Sequence, residues 1–206
     1  MDESLTERLV TATRQELART LSSLCAEVGA AESSILLPAN DTELLFFASS
    51  NPALMRPDVP LVPINASFSG IAFRTGQTIA VADAASQAQH YKAIDERVAS
   101  RTREFAAIPC AEGSVLGVLT LVNRAARNAD ASAPFSMAEL RQAETFATEM
   151  AHAIGLIPGL VGTGARDTGH MRALDTDFVA DLTSLTQAER RIVQALVSAL
   201  IENRGE

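Results

Sequence analysis

Apolar residues at Leu17, Leu21, Leu24 and Val28 recur at steps of four, three and four, with Leu5, Leu9 and Val10 one to two turns earlier. That spacing lines one face of a helix and predicts one over residues 5–28. Two readings are open for the stripe: it covers a sheet of the same domain only, or it also pairs with the same helix of a second subunit. Downstream, Ser34–Leu37 and Glu43–Ser49 are short β-like runs around Pro38-Ala39-Asn40-Asp41, whose residues favour a tight turn, so a hairpin is expected. Prolines at 52, 57, 60 and 63 restrict residues 51–63 to loop or edge strand. Ser67–Gly76 reads as one short helix, with Ser67 or Ser69 able to cap its start and Gly76 able to take the left-handed conformation that ends it. Gln77–Ala82 is a further strand.

After Asp83 a small, polar stretch leads to a helical segment from about Tyr91 to Arg103, in which Arg97, Arg101 and Arg103 with Glu96 and Glu104 read as a solvated face. Phe105–Cys110 and Ser114–Asn123 are strands about a Glu112-Gly113 turn, with Pro109 expected to end the first. Residues 124–134 form a loop. Ser136-Met137-Ala138-Glu139 is a capping box opening a helix with Leu140, Ala143, Phe146, Ala147, Met150 and Ile154 on one face. The order helix, two strands, helix, strand, helix, two strands, helix predicts an α+β fold around a mainly antiparallel sheet. Five glycines and a proline within Gly155–Gly169 read as a linker, and a second capping box, Thr186 to Glu189, leads Ile192, Val193, Leu196, Val197 and Leu200 along a final amphipathic helix.

Composition narrows the function classes. With 206 residues, 47% hydrophobic and 20% charged, the chain fits one ordinary domain plus appended helix. A net charge of −8, with Lys92 the only lysine, argues against a protein that coats phosphate backbones, so no direct nucleic-acid partner is expected. Cys25 and Cys110 have no disulfide or zinc spacing, and no metal site is expected. The amino terminus lacks the apolar core of a signal peptide, and no apolar run reaches the roughly 18 residues of a membrane span. A cytoplasmic location without a membrane partner is the expectation. The phosphate loop, His-Glu-x-x-His and nucleophile-elbow motifs are missing, which points away from those enzyme classes.

Five segments in order then carry a resemblance: Ser69-Gly-Ile-Ala-Phe-Arg-Thr-Gly76, Thr78-Ile-Ala-Val-Ala-Asp83, Phe105-Ala-Ala-Ile-Pro-Cys110, Val115-Leu-Gly-Val-Leu-Thr-Leu-Val-Asn123 and Phe135-Ser-Met-Ala-Glu139. They resemble the GAF domain, a small sensory fold of phosphodiesterases, phytochromes and bacterial signalling proteins. The resemblance divides the chain into a helix start (1–16), a GAF domain (17–155), a linker (156–178) and a C-terminal helix (179–206). It implies a ligand pocket between the sheet and the helices and loops on one face, with Phe68, Ser69, Ile71 and Phe73 on the short helix, His90, Tyr91, Ile94 and Asp95 in a lid, and Cys110 as binding residues. Gly70 is expected to let the short helix approach the sheet. Gly117 leaves room either under a helix or for a cavity floor. Tyr91 offers a ring to a planar ligand, against a bland role at the core edge; His90 reads as a solvated loop residue.

The resemblance also weighs the ligands. The Asn-Lys, Phe and Asp-Glu pattern of cyclic-nucleotide phosphodiesterase domains is met only by Asn123-Arg124, Phe135 and Glu139-Leu140. Arginine for lysine disturbs any buried ion pair there, and the second acid is missing, so a cyclic nucleotide is not expected. The lid has no Cys to attach a bilin. Free methionine sulfoxide reductases of this fold need a nucleophilic and a resolving thiol, whereas Cys110 has no second Cys near it in sequence. The expectation is a non-enzymatic bacterial-type sensor, homodimeric through its terminal helices, with a small-molecule ligand or a protein output partner and no cofactor that the sequence names. The alternative is an interaction module whose pocket is filled by Phe68, Phe73, Ile94 and Phe105. Leu185-Thr186 and Glu189 resemble the opening of a LuxR-type DNA-binding segment, but the chain ends before a recognition helix.

Overall fold

Strand alternation sorts the chain onto two faces of one sheet. In a computed structural model that describes residues 3–125 and 134–155, six antiparallel strands lie in the spatial order β3 (Val62–Pro63), β2 (Glu43–Ser49), β1 (Ala30–Pro38), β6 (Ser114–Arg124), β5 (Phe105–Glu112) and β4 (Ile79–Val81). The linker after Gly155, the second capping box and the C-terminal helix lie outside the described residues. β1 and β6 are central, with Ser34 opposite Thr120 and Leu36 opposite Val118.

The first face carries Ile35, Leu37, Phe47, Ile108, Leu119 and Leu121 against α1 (Glu3–Val28) and α4 (Met137–Gly155). Leu17, Leu21, Leu24 and Val28 are buried in this layer, so the amphipathic seam of α1 covers the sheet of its own domain. Each fully buried side chain of this size is worth ~1.5–3 kcal/mol. Ser136 and Glu139 open α4 reciprocally: the Glu139 N–H donates to Ser136 Oγ at 3.3 Å and the Ser136 N–H to Glu139 Oε2 at 2.7 Å. On the second face Leu36, Leu44, Val62, Ala107 and Val118 meet α2 (Phe68–Thr75) and α3 (Lys92–Val98).

α2 begins where Ser67 Oγ accepts the Gly70 N–H at 2.9 Å and ends at Gly76, which has φ 65°. A Cβ at Gly70 would lie 2.0 Å from the Ile64 carbonyl oxygen. Only glycine therefore lets α2 seat against the segment that follows β3.

Four expectations need correction. α3 ends at Val98, not Arg103, because Ala99 turns left-handed (φ 51°) and the Asp95 carboxylate accepts the Thr102 N–H at 2.8 Å and its hydroxyl at 2.7 Å. Those bonds draw residues 99–102 out of the helix. β5 continues through Pro109 to Glu112; Pro109 lies beyond Ile79–Ala107, the last pair with β4, where among the described residues that side of β5 has no neighbouring strand and proline is tolerated. β4 spans only Ile79–Val81 rather than residues 77–82. Gly117 leaves room neither under a helix nor for a cavity: a Cβ there would meet the Leu36 carbonyl oxygen at 2.6 Å and Leu37 Cδ2 at 2.8 Å, on the adjacent strand. Among the described residues no helix is long and apolar enough to cross a membrane.

Candidate functional site: a cavity under the lid helix

Between the second face of the sheet, the start of α2 and the segment 89–102 lies a partly open cavity of about 70 Å³. The period of two along the strands builds its floor. Glu32, Ser34 and Leu36 of β1 and Thr120 and Val122 of β6 face it, while their neighbours Ile35, Leu37, Leu119 and Leu121 belong to the opposite core. Ser34 is buried and exchanges a hydroxyl bond with Ser49 at 2.8 Å, which offsets the desolvation of both groups. Phe46 and Leu54 also line the cavity.

The walls come from α2 and the lid. Phe68 packs its ring 5.6 Å from that of Phe105, and both line the cavity. The Ser69 hydroxyl next to it has no hydrogen-bond partner among the described residues and is available to a ligand. In the lid, His90 Nε2 lies 3.1 Å from Asp95 Oδ2, and Asp95 also holds Thr102, so one carboxylate ties both ends of the lid together. An Arg97–Asp58 ion pair joins α3 to the proline-rich loop. His90 is thus not a solvated loop residue: its side chain is 8% exposed.

The cavity brings together Phe68, Ser69, His90, Tyr91, Ile94 and Asp95. It leaves out three other residues expected in the site. Ile71 and Phe73 lie on α2 away from the cavity, Phe73 against the second core. Cys110 projects from β5 into the first core, is fully buried, and its thiol is pushed up to about 12 by loss of solvation, outweighing a backbone hydrogen bond at Leu119. Its even position in β5, with Ala106 and Ile108, is the signal that separates it from Phe105 on the cavity face. The floor residues Glu32, Ser34, Leu36, Thr120 and Val122, and Thr102 in the lid, escape a motif reading; parity along β1 and β6 is the signal that finds the floor.

The pattern around Asn123 and Glu139 is structural. Arg124 forms a two-pronged pair with Glu139, Nη1 to Oε2 at 2.8 Å and Nη2 to Oε1 at 2.6 Å, and its guanidinium lies 5.5 Å from the Phe135 ring centre. Arginine therefore completes the ion pair it was expected to disturb, since one carboxylate accepts both prongs and no second acid is needed. The pair holds the Glu139 carboxyl down at about 2. Asn123, at φ 54°, accepts the Arg103 N–H at 2.8 Å and donates to the Arg101 carbonyl at 2.9 Å, fixing the end of the lid to β6. None of these four side chains lines the cavity.

No curated protein sequence matches the chain. Among solved structures, the GAF domain of a phosphoenolpyruvate-protein phosphotransferase from Coxiella burnetii is similar at 17% identity and TM-score 0.55, covering 71% of this chain and 92% of that one. A type II free methionine-R-sulfoxide reductase from Thermoplasma acidophilum is similar at 14% identity and TM-score 0.54, covering 70% and 93%. Residues 122 to 287 of a methyl-accepting chemotaxis protein match at 21% identity and TM-score 0.55, covering 74% and 96%. These likenesses establish the fold. The GAF domain family model matches residues 11–155, well over half of the sequence, and the chain belongs to the GAF domain family.

Proposed function

We propose that this chain is a non-enzymatic sensory domain that holds a small molecule beneath α3 and passes its presence to a protein partner. The observation that carries this reading is a cavity with an apolar wall and a few convergent polar groups, closed by a lid whose ends meet at one carboxylate, Asp95. A ligand there touches the floor on β1 and β6 and the lid at once. It shifts the lid's equilibrium to the extent that it binds the closed and open forms with different affinity. The opposite face of β1 and β6 packs on α1 and α4, giving those helices a direct mechanical link to the floor. Cys110 argues against thiol catalysis: it is buried in the first core, outside the cavity, and loss of solvation pushes its thiol up to about 12, which leaves little nucleophilic thiolate at neutral pH. A cytoplasmic location and a homodimer belong to the same proposal.

Hydrogen exchange over residues 83–103, with and without small molecules recovered from gently denatured protein, tests it. Ligand-dependent protection of that segment is expected. Equal exchange with every recovered compound and across a metabolite library would favour an interaction module instead.

A further inference from the structure

The wall of the cavity has a sign. Among the described residues two carboxylates line it, Glu32 and Asp95, and neither Lys nor Arg does. Among the described residues, the only group there able to become positive is His90, already bound to Asp95. With the imidazole neutral the wall carries two negative charges; with it protonated, one remains. Asp95 is saturated by His90 and by two bonds from Thr102. Glu32 is not: Asn51 Nδ2 donates to Oε2 at 2.9 Å, while Oε1 has no partner and the carboxylate no cation among the described residues. Its side chain is part-buried, at a position where solvent screens a charge less than at the open surface.

Glu32 stands opposite Val122 on the neighbouring strand, and Val122 stands opposite Phe105. The apolar part of the cavity begins beside the carboxylate and continues through Leu36, Phe46 and Phe68. From this juxtaposition we infer that the cavity selects a small organic amine, its ammonium received by Glu32 Oε1 and its hydrocarbon body laid along the apolar wall. An anion of the same shape would meet like charge with no resident cation to neutralise it, and burying it there is unfavourable. The inference rests on the reading of this cavity as a ligand site, and its test separates the two.

Calorimetric titration of the full chain with n-hexylamine, 1-hexanol and hexanoate at pH 7 compares one hydrocarbon body carrying three head groups. The amine is expected to bind tightest, by about tenfold or more over hexanoate, as one charge contact in a partly dry site allows. In Glu32→Gln the amine's advantage over hexanol should fall to near unity while hexanol affinity is kept; the wild-type ranking stands even if that variant fails to fold. Ser69→Phe, which puts a ring into the cavity from α2, should weaken all three. Hexanoate binding as tightly as the amine, or an amine advantage that survives Glu32→Gln, overturns the amine assignment and leaves the ligand site intact. No binding by any of the three, or binding indifferent to Ser69→Phe, overturns the site as well.

Discussion

Glu139→Gln isolates the charge of the Arg124–Glu139 pair, because glutamine still serves the capping box and returns a bond to the Ser136 N–H. In the fold the Glu139 carboxyl titrates at about 2 rather than the ordinary 4.5, chiefly through its bonds to Arg124, with desolvation opposing them. That difference corresponds to at most ~3.4 kcal/mol. Glu139 keeps 22% of its side-chain surface and Arg124 32%, so solvent screening brings the net value to ~1–2 kcal/mol. The sign follows from linkage: the folded state holds the carboxylate at a lower pKa than the unfolded chain does, so the unfolded chain binds more protons as pH falls. The contribution is complete above about 4.5 and fades as pH falls toward about 2. Urea unfolding followed by circular dichroism at 222 nm, at steps from pH 7 to pH 3, should show wild type more stable by ~1–2 kcal/mol at pH 7 and the gap narrowing below pH 4.5. A gap that stays constant across that range, or none at pH 7, would refute the assigned role of the pair.

Three further outcomes follow from the geometry. Gly70→Ala forces a Cβ into the Ile64 backbone, 2.0 Å from its carbonyl oxygen, and should cost ~3 kcal/mol or more; an unchanged thermal midpoint would show that α2 is not seated as described. Cys110 should resist iodoacetamide at pH 8 except at the rate of unfolding, read by peptide mass mapping that separates it from Cys25, and rapid native-state labelling would contradict its burial and its thiol at about 12. Asn123→Ala should destabilise by ~2–3 kcal/mol through a left-handed backbone and two lost hydrogen bonds, with Asn123→Gly milder; equal losses in the two variants would remove the backbone part of that account.

Features encoded within a few residues were legible in the sequence. The α1 seam, the Ser67 cap, the Gly76 stop and the Ser136–Glu139 box each depend on side chains three or four positions apart, and each forms as the spacing predicts. The end of α3 was not legible, because it depends on Asp95 reaching Thr102, seven residues away, after the chain has already folded back. The floor of the cavity was hidden for a different reason. β1 and β6 are buried on both faces, so Ser34-Ile35-Leu36-Leu37 and Val118-Leu119-Thr120-Leu121 lack a clean polar–apolar alternation. Ser34 and Thr120 are the clue in retrospect: they stand opposite one another, on the face where a cavity rather than a helix lies. The lid and α2 residues came from resemblance to the family, which located the region but included Ile71, Phe73 and Cys110, whose directions only a face assignment settles.

The sharing of β1 and β6 between two cores bears on how this domain can change over generations. Substituting Glu32, Ser34, Thr120 or Val122 alters the chamber while the leucine and isoleucine neighbours go on anchoring α1 and α4. Insertion or deletion of one residue within either strand is a different event, because it turns every subsequent side chain to the other side of the sheet. Serine and threonine would then enter the helix-packed layer and leucine the chamber. Diversification of what this domain recognises is therefore channelled into point replacements at alternate positions, with changes of length confined to the loops.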